Sequence, residues 1–199
     1  MQVIHNIYDK LISLENIFAC WYEFKKDKAK RADVQRFERH LEDNIFALRE
    51  ELRSQTYRHG LYHKFHIYDP KFRVISKASV KDRLVHHMVF NELYRIFDPA
   101  FIYHSYSSRL SKGTHVAVKN LSDSLRKTSK NYRFPAYVLK SDIRKFFDTI
   151  NHQKLLQIIQ KRIADKNFLW LVSELIESFT PVDNFAERER ERERERELT

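Results

Sequence analysis

The run Tyr137-Val138-Leu139-Lys140-Ser141-Asp142 carries a carboxylate out of the end of a short apolar segment. Two phenylalanines, Phe146 and Phe147, a second acid, Asp148, and a helical pattern follow. An apolar strand that ends in aspartate presents hard oxygen ligands of the kind Mg²⁺ takes: the carboxylate and the backbone carbonyls beside it. Phosphoryl transfer by two metals needs at least two such carboxylates, with ions about 3.5–4 Å apart. Asp148 stands past the expected strand end, where an acid more often starts a helix than binds a metal. A lone aspartate usually caps a helix or faces water, so the weight rests on the setting of Asp142.

That setting is a mixed chain of helices with one hairpin. Ile7, Leu11, Leu14 and Phe18 predict a short helix over 7–24, followed by a basic stretch from Lys25 to Arg31. Val34, Phe37, Leu41, Ile45, Leu48 and Leu52 step by three and four, which predicts one amphipathic helix. Residues 61–76 change period, and Asp69-Pro70 supplies a turn, so strands are expected near 62–68 and 72–76. Ser79-x-x-Asp82 forms a capping box before a helix with Leu84, Met88, Leu93 and Ile96 inward, and Asp98-Pro99 ends it. A third helix opens at Gly113 or Thr114, with Val118, Leu121 and Leu125 inward. Ser129 to Arg133 reads as a basic loop and Ala136–Lys140 as a strand. Helices near 152–163 and 167–179 complete an α+β, helix-rich pattern with a small antiparallel hairpin.

Composition narrows the chemistry. The chain has 199 residues and a formal charge of +10. The Glu187–Glu197 repeat of alternating Glu and Arg is nearly neutral, so the basic excess belongs to the rest. Such a field suits a polyanion, nucleic acid first and an anionic membrane second. Two glycines, Gly60 and Gly113, cannot build a glycine-rich nucleotide loop. One cysteine, Cys20, excludes an internal disulfide and a cysteine-based zinc site. No segment reaches the ~20 apolar residues of a membrane span, and no signal-peptide plan opens the chain, so a cytoplasmic protein is expected. His59, His63 and His66 are spaced four and three apart, but with no cysteine beside them a basic, aromatic surface along a nucleic-acid groove explains them better than a metal site. Tyr57, Tyr62, Phe65 and Tyr68 interleaved with Arg58 and Lys64 fit backbone contact plus base stacking, or a half-buried hairpin. The Glu-Arg repeat buries nothing in either helix or strand and is expected to be disordered; a GA dinucleotide repeat in DNA would encode it.

With these residues in view, Asp142-Ile143-x-x-Phe146-Phe147-Asp148-x-Ile150-x-His152 resembles the first catalytic motif of retroelement reverse transcriptases, of the group II intron, retron and diversity-generating types. Arg73-Val74-Ile75 and Ser79-Val80-Lys81-Asp82-Arg83-Leu84-Val85-His86 are similar to the fingers motif of that family. Phe97-Asp98-Pro99-x-Phe101 and Ser105-Tyr106-x-Ser108-Arg109-x-x-Lys112-Gly113-Thr114-His115 resemble its next block. The resemblance runs over roughly 57–180. It implies an N-terminal helical extension at 1–56, fingers at 57–135, a partial palm at 136–183 and a low-complexity tail at 184–199.

The resemblance also implies roles. Asp142 is then the catalytic Mg²⁺ ligand, with the Ile143 carbonyl as a second oxygen. Phe147 is the aromatic ring that excludes a ribonucleotide. Arg73 grips the incoming triphosphate, as a planar bidentate cation suits phosphate oxygens, and Lys71 assists. Arg58, Lys64, Arg109 and Lys112 contact nucleic acid. Arg83 is expected either to form a structural ion pair with Asp82 or to contact substrate. Implied partners are an RNA template, a DNA or RNA primer, dNTP and an accessory protein. A second palm motif, Tyr-x-Asp-Asp, does not occur, and no Asp-Asp pair is present anywhere. The expectation is therefore a truncated N-terminal portion of an RNA-directed DNA polymerase, inactive alone. The alternatives are a non-catalytic RNA-binding module built on the fingers, and a basic structural or interaction domain.

Overall fold

The computed structural model describes residues 3–68, 72–143 and 146–179. They fall into two compact units, Met1–Glu92 with Phe146–Thr199, and Leu93–Lys145. The Glu-Arg repeat lies outside the described residues.

The first unit starts with α1 (Tyr8–Leu11) and α2 (Leu14–Lys25). Ser13 caps α2, its Oγ accepting from the Asn16 N–H at 3.2 Å. α2 buries Ile17, Cys20, Trp21 and Phe24. The apolar stripe from Val34 to Leu52 predicts one helix, but it forms two, α3 (Ala32–Glu38) and α4 (Leu41–Arg53). The break at His40, whose φ is −126° and ψ 42°, accompanies a contact with a distant residue. Phe37 turns its ring onto Trp21, centroids 5.0 Å apart. The Phe37 carbonyl then accepts from the Asn44 side-chain amide at 2.9 Å and from the His40 N–H at 3.3 Å. Those donors replace the lost helical one, so the interruption leaves no orphan carbonyl.

Strands β1 (His63–Tyr68) and β2 (Phe72–Lys77) form the expected antiparallel hairpin, in a register that pairs Lys64 with Ser76 and Ile67 with Arg73. It is the single sheet among the described residues. α5 (Val80–Phe97) starts where the capping box places it. The Asp82 N–H donates to Ser79 Oγ at 3.1 Å and the hydroxyl donates back to the carboxylate at 2.7 Å.

In the second unit, a 3₁₀ turn at Asp98–Ala100 follows the Asp-Pro stop. α6 (Thr114–Thr128) opens at Gly113, whose φ of 97° is a conformation that suits glycine. Two expectations fail here. The α6 stripe is not a core face: Val118 and Leu121 are exposed and Leu125 is half-buried. Residues 136–140 form no regular element; Tyr137 is 95% exposed and Leu139 92%. A strand needs a neighbour for its backbone hydrogen bonds, and among the described residues none pairs with this one. The α+β class holds because the hairpin supplies the β part.

α7 (Phe146–Thr149), α8 (His152–Gln160) and α9 (Lys166–Ser178) belong to the first unit. Asp165 ties them to the N-terminal segment. Its carboxylate accepts from the α9 N–H groups of Asn167 and Phe168, both at 3.1 Å, and from those of Ile7 at 2.6 Å and Tyr8 at 2.8 Å. Burial opposes the charge, but these four backbone donors prevail and hold the Asp165 carboxyl below the usual range. A short parallel bridge between Ile4 and Ile163 completes the seam. No helix among the described residues is long and apolar enough to cross a membrane.

Candidate nucleic-acid interface and catalytic carboxylate

Asp142 and Ile143 follow the 136–140 segment in the second unit, and both are exposed. One carboxylate and one carbonyl fall short of the near-octahedral oxygen set that Mg²⁺ takes. Among the described residues no group of three or more His, Cys, Asp or Glu could hold a metal ion. These residues therefore do not complete a divalent-ion site. The same finding disposes of the histidine trio at 59, 63 and 66.

Arg109 and Lys112 sit in the same unit, within the loop after the 3₁₀ turn. Arg109 is spent on that loop. Its Nε donates to Asp98 Oδ1 at 2.6 Å, and its terminal nitrogens donate to the carbonyls of Asp98 at 3.0 Å, Ser105 at 3.1 Å and Ile102 at 3.3 Å. Its side chain is 11% exposed. The hydrogen bond from Arg109 holds the Asp98 carboxyl below its ordinary range. Lys112 donates to the Tyr103 carbonyl at 3.0 Å and lies 4.0 Å from the centre of the Tyr103 ring. Tyr106 joins the loop to α6, accepting from Asn120 Nδ2 at 2.7 Å. The Ser-Tyr-x-Ser-Arg pattern thus builds a fixed loop from its own side chains.

In the first unit, Arg58 is largely exposed and reaches Glu174 at 3.3 Å. Lys64 is half-buried on β1. Arg73 lies on β2; its side chain, like the whole of Lys71, is outside the described residues. Phe147 is 76% exposed and meets Phe146 edge-on at 5.6 Å. Neither ring is a core residue, Phe146 being 49% exposed. The hairpin carries an aromatic face, where the Phe72 ring lies 5.2 Å from both His66 and Tyr68. Exposed flat rings beside cations are the makings of a stacking platform for bases.

The Asp82–Arg83 ion pair does not form. Arg83 pairs instead with Asp33 at 2.5 Å, and Lys77 reaches the same oxygen at 2.7 Å. Adjacent helix positions point about 100° apart, so Asp82 turns inward as Arg83 turns out. Asp82 is fully buried. It accepts from Tyr57 Oη at 2.7 Å, Ser79 Oγ at 2.7 Å and the Gly60 N–H at 3.3 Å. A Cβ on Gly60 would stand 3.0 Å from the carboxylate, so glycine is what lets the backbone approach. Burial disfavours the charge, but the hydroxyl donors of Ser79 and Tyr57 hold the Asp82 carboxyl below its ordinary range.

Beside this network, His59 Nε2 meets His86 Nε2 at 3.1 Å, and the two rings stack 5.1 Å apart. No sequence pattern pointed to that pair, since the residues are 27 apart. Burial, aided by His59, pushes the His86 imidazole down to about 4. A depressed histidine keeps its full contribution above the unfolded value of about 6.5 and loses it as pH falls towards the folded one. Stability is expected to drop by about 3 kcal/mol between those limits, at ~1.4 kcal/mol per unit. Urea midpoints at pH 7 and 4.5 measure this, and His86→Gln should flatten the difference.

With the geometry set out, likeness to known proteins can be weighed. Residues 63–198 match the family described as reverse transcriptase (RNA-dependent DNA polymerase). That is more than half of the chain, and the chain belongs to this family. Reverse transcriptase domains act on a nucleic-acid template and primer and generally use divalent metal ions. Among curated proteins, the chain is 26% identical over 133 residues to Protein YkfC of Escherichia coli, covering 66% of this chain and 34% of that one. It is 28% identical over 108 residues to the putative COX1/OXI3 intron 2 protein of Saccharomyces cerevisiae, covering 54% and 12%. It is also 26% identical over 106 residues to an uncharacterized 91 kDa protein in the cob intron of Schizosaccharomyces pombe, covering 53% and 12%. The chain spans about a third or less of the length of these relatives.

Proposed function

We propose that this chain is the RNA-holding part of an RNA-directed DNA polymerase. In this reading Asp142 and the Ile143 carbonyl supply two of the oxygens for a catalytic Mg²⁺. Arg73 and Lys71 receive the triphosphate of a dNTP, and Phe147 screens its sugar. Arg58, Lys64 and Lys112 lie along the template and primer. The observation that carries the reading is the family match over 63–198, which contains the whole motif series from Arg73 to Asp142. The strong basic excess and the exposed aromatic face of the hairpin support it. A second metal-binding carboxylate is needed, and the sequence has no Asp-Asp pair to provide it. The 199-residue chain by itself is therefore a binder and not a polymerase.

Fluorescence anisotropy with a labelled single-stranded RNA, titrated at several salt concentrations, tests the reading. Log affinity should fall linearly with log salt at about 0.7 per phosphate contact, so six contacts give a slope near −4. A flat response, or no binding at low salt, would leave a basic structural domain as the better description.

A further inference from the structure

The C-terminal end of α6 carries a basic cleft to which none of the motifs above assigns a role. Arg126, Lys127, Lys130, Asn131 and Arg133 line it, and no carboxylate does. Among the described residues, the one acid paired with any of these cations is Asp123, 3.6 Å from Arg126 at an exposed site. Cations in a last helical turn answer the helix dipole, which accounts for Arg126 and Lys127. It does not account for Lys130 and Arg133, which lie beyond the helix. Four like charges around one concavity repel one another unless an anion joins them.

The backbone that holds them is fixed. Lys130, Asn131 and Tyr132 are all left-handed, with φ of 49°, 59° and 62°, a conformation that residues other than glycine and asparagine adopt rarely. Ser129, 3% exposed, clamps the turn. Its Oγ donates to the Leu125 carbonyl and accepts from the Tyr132 N–H, while its carbonyl accepts from the N–H groups of Arg133 and Phe134. The Asn131 N–H closes on the Arg126 carbonyl at 2.8 Å. The clamp leaves two aromatic rings in solvent beside the cations: Tyr132 is 66% exposed and Phe134 56%. Lys130 lies 5.2 Å from the centre of the Phe134 ring. A preformed set of cations with flat exposed rings beside it is the chemistry that grips single-stranded nucleic acid without reading sequence: phosphates on the charges, bases on the rings.

We infer that the cleft formed by Arg126, Lys127, Lys130 and Arg133 is a single-strand RNA backbone site, with Tyr132 and Phe134 as its stacking surface. This rests on the reading of the chain as an RNA binder and adds a site apart from the motif residues. The test compares the wild-type chain with three variants, each checked by circular dichroism, on a labelled oligouridylate. Lys127→Gln/Lys130→Gln/Arg133→Gln should make the salt slope shallower by about 2, at ~0.7 per lost phosphate contact. Tyr132→Ala/Phe134→Ala should weaken binding about tenfold or more with the slope unchanged, the scale of one or two lost stacked bases. Lys26→Gln/Lys30→Gln/Arg31→Gln removes the same charge elsewhere and should leave the slope nearly intact. In the unaltered chain, oligouridylate should also protect Lys127 and Lys130 from acetylation. Equal slopes in the two charge variants, or unprotected lysines in a chain that binds, would overturn the site and leave RNA binding standing. Wild-type protein that binds no RNA at low salt would overturn both.

Discussion

Asp142→Ala is expected to abolish dNTP incorporation once a Tyr-x-Asp-Asp palm segment is supplied, for instance by fusing one from a reverse transcriptase that carries it to this chain. The loss should be about 10²–10³-fold, the scale seen when one preorganised electrostatic group is removed from a transition state. The reason is local. Asp142 is the lone acid at the end of the apolar Tyr137–Leu139 run, and the Ile143 carbonyl beside it cannot balance a divalent charge by itself. The residue is exposed and makes no core contact, so RNA affinity and thermal stability should stay within experimental error of the parent. Primer extension under single-turnover conditions, read beside RNA binding, makes the measurement. Near-normal extension by the variant would remove Asp142 from the metal site.

The largest structural effect is expected from Asp82→Ala. Asp82 is fully buried and accepts three hydrogen bonds, from two side chains and one backbone N–H. Removing it strands the Tyr57 hydroxyl, itself fully buried, and opens the start of α5. A buried donor left without a partner costs about 1–3 kcal/mol, and a lost cap about 1 kcal/mol more. The sum is a loss of about 2–4 kcal/mol. Tyr57→Phe leaves the carboxylate its other donors and should cost clearly less, about 1–2 kcal/mol. Urea unfolding at pH 7 reads both. A shift under about 1 kcal/mol for Asp82→Ala would mean that the network contributes little beyond the cap.

Much of this was readable in the sequence where the signal is local. Asp69-Pro70 between two aromatic and basic runs marks a hairpin, and the hairpin forms. Ser79-x-x-Asp82 and Asp98-Pro99 bracket α5 at both ends. Where the sequence misled, the deciding partner was distant. The Val34–Leu52 stripe has helical period throughout, and only the packing of Phe37 on Trp21 breaks it. Val138 and Leu139 look like a strand, yet a strand is a property of two segments, and the second is not among the described residues. Val118 and Leu121 have the spacing of a core face, yet both are exposed. Asp82 and Arg83 are neighbours of opposite charge, but helix geometry sends one inward and the other out. The candidate site was legible through its motif order alone. The loop locked by Arg109 and the His59–His86 pair carry no periodic signal, because each depends on contacts made by the folded chain.

The most direct measurement is a primer-extension reaction with the unaltered 199-residue chain, an annealed RNA template and DNA primer, dNTPs and Mg²⁺, in which bound and extended primer are counted together. The expected result is a salt-sensitive complex at low ionic strength with no extended primer. Extension by the chain alone, or a template–primer that stays unbound, would contradict it.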